Sequence, residues 1–155
     1  MEKNPAIHAT VPKAVPQKRE VWDAETIFLA LDVCDDARLK LAINLSFACS
    51  MRIGEILGLT WDCVDISPKS IAGGTASIMI TKELQRVDKT AMKSLEQKDV
   101  LFIFPQSSKR NTSMLVLKKP KTESSVRKVF IPATVAHQLE SWKREQERTK
   151  EALGG

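Results

Sequence analysis

The feature that most constrains this chain is one change of hydrophobic period near Ser67. Before that point apolar residues recur at helical spacing; after it they alternate as in half-buried strands. Helices collected first and strands second predict an α+β fold. On the helical side, Asp23 offers an N-cap, with Trp22 before it as a hydrophobic staple to Ile27. Ile27, Phe28 and Leu31 predict a short amphipathic helix over 24–32. Asp35-Asp36 breaks it and caps the next, 37–49, which is apolar on nearly every face after Lys40 and so reads as a central core helix. Ser50-Met51 makes a turn. A third helix over 52–60 is expected to turn Ile53, Ile56, Leu57 and Leu59 inward, with Trp61 as a core plug.

Beyond Ser67, Pro68 and Gly73-Gly74 punctuate the chain, and Ile78 and Ile80 alternate with Ser77, Met79 and Thr81 as a strand would. Residues 87–99 read as a polar helical excursion or a loop, and Val100–Phe104 as a further strand. Met114–Lys119 and Val126–Ile131 flank a connector rich in turn formers, which predicts a β-hairpin with an exposed Lys near its tip. Pro132 ends the sheet. A trailing helix over 133–151 buries Val135, Leu139 and Trp142, then becomes almost wholly charged. The expected architecture is thus a helical layer, a small antiparallel sheet at about 75–131 and a trailing helix.

The charge is unevenly placed. Residues 1–67 carry 7 basic and 10 acidic side chains, whereas residues 80–131 carry 12 basic and 5 acidic ones. A segment so basic is the footprint of a polyanion partner, or else a solubilising surface. No apolar run approaches the roughly 18 residues of a membrane span, and no signal-peptide core is present, which makes the cytoplasm the expected compartment. Cys34, Cys49 and Cys63 form no Cys-x-x-Cys pair and read as buried free thiols; two isolated histidines nominate no metal site. P-loop, His-Glu-x-x-His and Gly-x-Ser-x-Gly motifs are absent. Asp62 and Asp65 read as turn or capping carboxylates, and no metal or cofactor is called for.

Two sites are candidates for chemistry, against a structural Arg–Glu pair at the first and a merely solvated Lys at the second. Arg52 opens a helix inside apolar sequence, and its charged planar fork suits two phosphate oxygens; Glu55, one turn on, either pairs with it structurally or holds it in place. Lys121 stands in Lys118-Lys119-Pro120-Lys121, with Arg127-Lys128 placed across the expected turn; spacing does not say which Lys is the proton donor. Lys82, Arg86, Lys118, Lys119, Arg127 and Lys128 are the candidate contacts to a nucleic-acid backbone. Residues 1–20 hold Pro5, Pro12 and Pro16 and little apolar periodicity, a linker composition.

These residues resemble the tyrosine recombinase (phage integrase) family, and most closely the integrases of mobile elements in Gram-positive bacteria. Ala48–Asp65 is similar to the family's first signature, T-G-x-R-x-x-E-x-x-x-L-x-W-x-D-I-D, with Arg52 at the catalytic Arg, Glu55 at the acidic position, and Leu59, Trp61 and Asp65 at packing and turn positions. Lys118–Pro132 is similar to the segment carrying the family's catalytic Lys, matched by Lys121. The resemblance implies Arg52 as a clamp on the scissile phosphate, Lys121 as general acid, duplex DNA as partner and a tetrameric synapse of the parent protein, without a metal. It departs from the family at Cys49-Ser50, where Thr-Gly is usual. The sequence also has no Tyr and no His-x-x-Arg. The resemblance therefore implies a linker at 1–20 following an absent N-terminal domain, a partial catalytic domain at 21–155, and a fragment inactive alone. A non-catalytic DNA-binding or regulatory module of a mobile element is the alternative.

Overall fold

The structure is a computed structural model describing residues 20–94, 99–106, 108 and 110–154. The chain divides into two units, Met1–Asp32 and Val33–Gly155. The linker expected over 1–20 lies almost wholly outside the described residues. Helix α1 (Ala24–Val33), all but its last residue in the first unit, begins as its sequence requires, with the Asp23 carboxylate accepting the Thr26 N–H at 2.8 Å. Trp22 remains more than half exposed.

The second unit opens with α2 (Ala37–Cys49), whose N-cap is Asp36; its carboxylate accepts the Arg38 N–H at 2.8 Å. A five-residue helix α3 (Ile53–Leu57) and a 3-10 turn at Trp61–Cys63 lead into the short strand β1 (Val64–Asp65). Helix α4 (Pro68–Ala72), capped by Ser67 with Pro at its first position, precedes β2 (Ser77–Ile80) and β3 (Glu83–Asp88). Then come α5 (Lys89–Ser94), β4 (Val100–Ile103), β5 (Ser113–Lys118), β6 (Arg127–Phe130) and α6 (Ala133–Ala152). The fold is α+β, with helices, antiparallel strands and the trailing helix in the expected order.

Among the described residues the strands form two sheets, ordered β1-β2-β6 and β3-β5-β4, in place of one. The chain passes between them at Thr81-Lys82. The core gathers on the first sheet. Leu41, Leu45 and Cys49 of α2 meet Ile78 and Ile80 of β2, Ile131, and Val135, Ala136 and Leu139 of α6. Ile78 and Leu139 are essentially without solvent contact, and each contributes roughly 1.5–3 kcal/mol by leaving water. In the second sheet Val116 is fully buried.

The expected hairpin between Met114–Lys119 and Val126–Ile131 does not form. β5 lies between β3 and β4, with Glu83 opposite Lys118, whereas β6 pairs with β2, with Ile80 opposite Arg127. The connection from Lys119 to Val126 is longer than the two to five residues or so of a tight hairpin, which frees each strand for a different neighbour.

The helix expectations need two corrections. α2 is buried along one stripe, Leu41–Leu45–Cys49, while Leu39 and Phe47 are about half exposed. α3 ends at Leu57, its C-cap Gly58, rather than running to Thr60. Ile56 and Leu59 pack against the core as expected, but Ile53 and Leu57 project into solvent, because so short a helix can turn only one face inward. Trp61 is only partly buried; it packs against the core and donates its indole N–H to Gln146 Oε1 at 2.8 Å. Of the thiols Cys49 is buried and Cys34 and Cys63 are half-buried; all are free.

Candidate functional site

The site is built around the turn from α2 into α3. Ser50 closes α2 in the left-handed region, with φ 51° and ψ 35°, and its N–H donates to the Leu45 carbonyl. This is the position where the family resemblance has Gly, and the backbone shows why: a residue with a Cβ is strained there. The next residue, Met51, is buried. Arg52 follows in extended conformation as the N-cap of α3, its side chain 72% exposed. The sequence thus buries Met51 and swings Arg52 outward.

Glu55 supports Arg52 from beneath. Its carboxylate accepts the Arg52 backbone N–H at 2.9 Å, satisfying a donor that the helix start leaves unpaired. This is one half of a capping box, since a guanidinium has no acceptor to return. Arg52 Nη1 lies 3.3 Å from Glu55 Oε1. Glu55 is itself only 3% exposed, and a carboxylate so buried needs more compensation than one long contact to a solvated guanidinium.

Arg127 of β6 supplies it. Its Nη1 and Nη2 donate to Glu55 Oε1 and Oε2 at 2.8 and 2.9 Å, a two-pronged pair across 72 residues of sequence. Each carboxylate oxygen therefore accepts one bond from Arg127 and one from Arg52. The Arg127 bonds are the main reason the Glu55 carboxyl is held below its ordinary range, against burial, which pushes it up. Glu55 in turn raises Arg127. One buried anion between two guanidinium groups leaves a net positive charge, and the exposed end of Arg52 carries it. Arg127 Nη1 also donates to the Ser125 carbonyl at 3.3 Å, reaching the 3-10 turn Glu123–Ser125. The Thr122 hydroxyl bonds the Ser124 and Ser125 hydroxyls at 3.1 and 2.8 Å. Lys121 immediately precedes this knot and is exposed. A continuous path of contacts thus joins Arg52 to the turn beside Lys121.

Two glycines seat α3 on the second sheet. A Cβ on Gly54 would lie 3.0 Å from the Leu84 carbonyl oxygen, and one on Gly58 would lie 2.7 Å from the Leu84 nitrogen. The helix bearing Arg52 and Glu55 therefore rests directly on the backbone of β3.

The other basic candidates separate into two groups. Lys82 Nζ donates to Asp62 Oδ2 at 2.7 Å and to Thr60 Oγ1 at 2.6 Å, with only 19% of its side chain exposed. It draws the Asp62 carboxyl down to about 2 and pins the strand crossover to the turn after α3. Lys118 pairs with its cross-strand neighbour Glu83 at 3.5 Å. Arg127 is held by Glu55. By contrast Arg86, Lys119 and Lys128 are exposed. Arg86 makes one long bond to Ser113 at 3.3 Å, and the Lys128 ammonium lies over the Phe130 ring, 5.2 Å from its centre. Asp65 braces the turn that leads into α4, accepting from Ser67 N–H at 3.2 Å and the Ser70 hydroxyl at 2.8 Å, as a turn carboxylate does.

The sequence named Arg52, Glu55 and Lys121 but missed the Glu55–Arg127 pair. The signal was there in part: an acidic residue inside an apolar helix demands a cation, and Arg52 at the helix start is too solvated to suffice. Which basic residue downstream supplies it depends on the β2–β6 register, which spacing does not give.

Neither the curated proteins nor the solved structures yield a match. The phage integrase family model matches residues 20–151. With the Arg52 turn, its buried acidic support and the Lys121 segment all inside the matched span, the chain belongs to the phage integrase family, the tyrosine recombinases.

Proposed function

We propose that this chain is the Arg- and Lys-bearing part of a catalytic domain that cuts and rejoins duplex DNA through a phosphotyrosine intermediate. The observation that carries the reading is an exposed guanidinium, Arg52, supported from behind by a buried carboxylate that a second guanidinium keeps ionised. Such a group meets a phosphate from a backbone position already set by Glu55, which favours stabilising the charge that develops on non-bridging oxygens. Arg52 clamps the scissile phosphate. Lys121, exposed on the connection after β5, protonates the leaving 5′ oxygen. The tyrosine oxygen attacks phosphorus, the bond to the 5′ oxygen breaks, and a 3′-phosphotyrosyl link results. No Tyr is present in these 155 residues, so the nucleophile comes from elsewhere and the chain by itself forms no such link. Arg86, Lys119 and Lys128 contribute backbone contacts that position the duplex. Lys82 and Lys118, already paired internally, contribute less. The parent assembles on DNA as a synapse of several subunits.

The missing Tyr also favours a second reading, a DNA-binding module that occupies sites without cleaving them. Two measurements separate these. Duplex binding by the chain is expected to weaken steeply with salt, with a log–log slope of at least about −3, since each neutralised phosphate contributes roughly −0.9. A suicide substrate is expected to give no covalent adduct with the chain alone and an adduct with the protein that carries this chain and a tyrosine. Salt-independent binding would sink both readings. Absence of an adduct from the tyrosine-bearing protein would leave the second.

A further inference from the structure

We propose that Arg127 is a positioning residue, not a DNA contact, and that it couples the Arg52 clamp to the Lys121 turn. The role rests on the recombinase reading above and deepens it. An Arg on a strand of a DNA-binding domain is normally assigned to phosphate, but here both prongs of the fork are occupied by a 3%-exposed carboxylate at 2.8 and 2.9 Å. Turning the guanidinium toward DNA would leave Glu55 a buried anion whose charge meets only one long guanidinium contact, at 3.3 Å, beside the Arg52 backbone N–H, so Arg127 stays where it is. What it holds lies on two sides. Through Glu55 it fixes the carboxylate that accepts the Arg52 backbone N–H. Through the Ser125 carbonyl it fixes the 3-10 turn that follows Lys121. The two groups lie on segments far apart in sequence. Arg127 touches the supports of both.

Lys is a poor substitute at this position. A single ammonium cannot reproduce two parallel bonds to one carboxylate while also reaching Ser125. Arg127→Lys thus keeps the charge but breaks the geometry, which separates positioning from electrostatics.

The test uses the 155-residue chain, isotope-labelled at backbone amides and arginine side chains, with a duplex oligonucleotide as probe in nuclear magnetic resonance. In the unmodified chain the Arg127 guanidinium signals are expected to exchange slowly and stay unmoved by duplex, while the Arg52 signals shift. In Arg127→Lys the Arg52 and Ser125 amides are expected to exchange roughly tenfold faster or more, together, while Ile78 and Ile80 on β2 keep their protection. The Arg52 response to duplex should weaken in parallel. A duplex-induced shift at Arg127 as large as that at Arg52 would overturn the proposal from the unmodified chain alone, whether or not the variant folds. So would unchanged Arg52 and Ser125 amides in a folded Arg127→Lys. If Arg52 itself ignores duplex in the unmodified chain, the DNA reading fails, and this role fails with it. An Arg52 that responds equally with and without Arg127 rejects positioning only.

Discussion

Replacing Gly58 with Ala tests how α3 is held. Gly58 has φ −91° and ψ 2°, so Ala suffers no backbone strain there and any effect arises from contact. The added methyl would sit 2.7 Å from Leu84 N, 2.8 Å from the Glu83 carbonyl carbon and 2.9 Å from Glu83 Cα. All three atoms are backbone of a strand paired along its length with β5, so no side chain can rotate away. Restoring ordinary contact means lifting the end of α3 by about 0.5–1 Å, and overpacking of this kind costs roughly 1–3 kcal/mol. In urea, with a slope of about 1–3 kcal/mol per molar, a 2 kcal/mol loss lowers the midpoint by roughly 1 M. Gly54→Ala, with a single close contact at 3.0 Å, should lose less. The assay is urea unfolding of the chain followed by far-UV circular dichroism. A Gly58→Ala midpoint equal to or above that of the unmodified chain would refute the claim that α3 rests directly on β3.

Other expectations follow from single contacts. Ser50→Gly relieves a left-handed residue at φ 51° and should stabilise the chain by about 0.5–1 kcal/mol, read as a rise in thermal midpoint; a fall would mean the Ser50 side chain is needed. Glu55→Gln leaves Arg127 without its anion and should cost about 3 kcal/mol, the low end for a broken buried pair because Arg127 is one-third exposed. Because the Glu55 carboxyl is depressed in the folded state, its contribution is complete above the ordinary glutamate value of 4.5 and disappears as pH falls through its lowered value. The unmodified chain should therefore lose stability in acid more steeply than Glu55→Gln, and parallel pH–stability curves would contradict the assignment. In the tyrosine-bearing protein, Lys121→Ala should slow cleavage of a normal 5′-oxygen leaving group far more than of a 5′-thiol, which needs no acid. Equal slowing would reduce Lys121 to a DNA contact or move the acid to Lys119.

What was legible in the sequence was local. Asp36 as a cap and the burial of Val135 and Leu139 follow from short-range rules and hold; the alternation holds for Ile78, Met79 and Ile80, while Ser77, expected on the open face, is buried. Arg52 stood out because a cation inside an apolar helix start has few reasons to be there. The unread part was pairing between distant segments. Nothing in Met114–Ile131 says that β5 turns to β3 while β6 turns to β2, since a turn-rich connector is compatible with a hairpin and with a crossover alike. Missing that register also hid the Glu55–Arg127 pair. Burial misled in the same way. Phe47, Ile53 and Leu57 read as core because they are apolar and helical, yet α2 and α3 each turn one stripe inward and leave these exposed. Charge alone also gives no sign that Asp62 and Thr60 hold the Lys82 ammonium.

The central claim is that Arg52 acts on the scissile phosphate rather than in the fold. Its side chain is 72% exposed, and its backbone N–H bond to Glu55 survives truncation, so Arg52→Ala should leave stability within about 0.5 kcal/mol. The decisive measurement is the rate of covalent adduct formation on a suicide duplex by the tyrosine-bearing protein, with and without Arg52→Ala, at matched DNA occupancy. The adduct rate should fall by roughly a hundredfold or more, the loss expected when one preorganised donor to developing charge is removed. An unchanged rate would show that Arg52 is only a structural partner of Glu55.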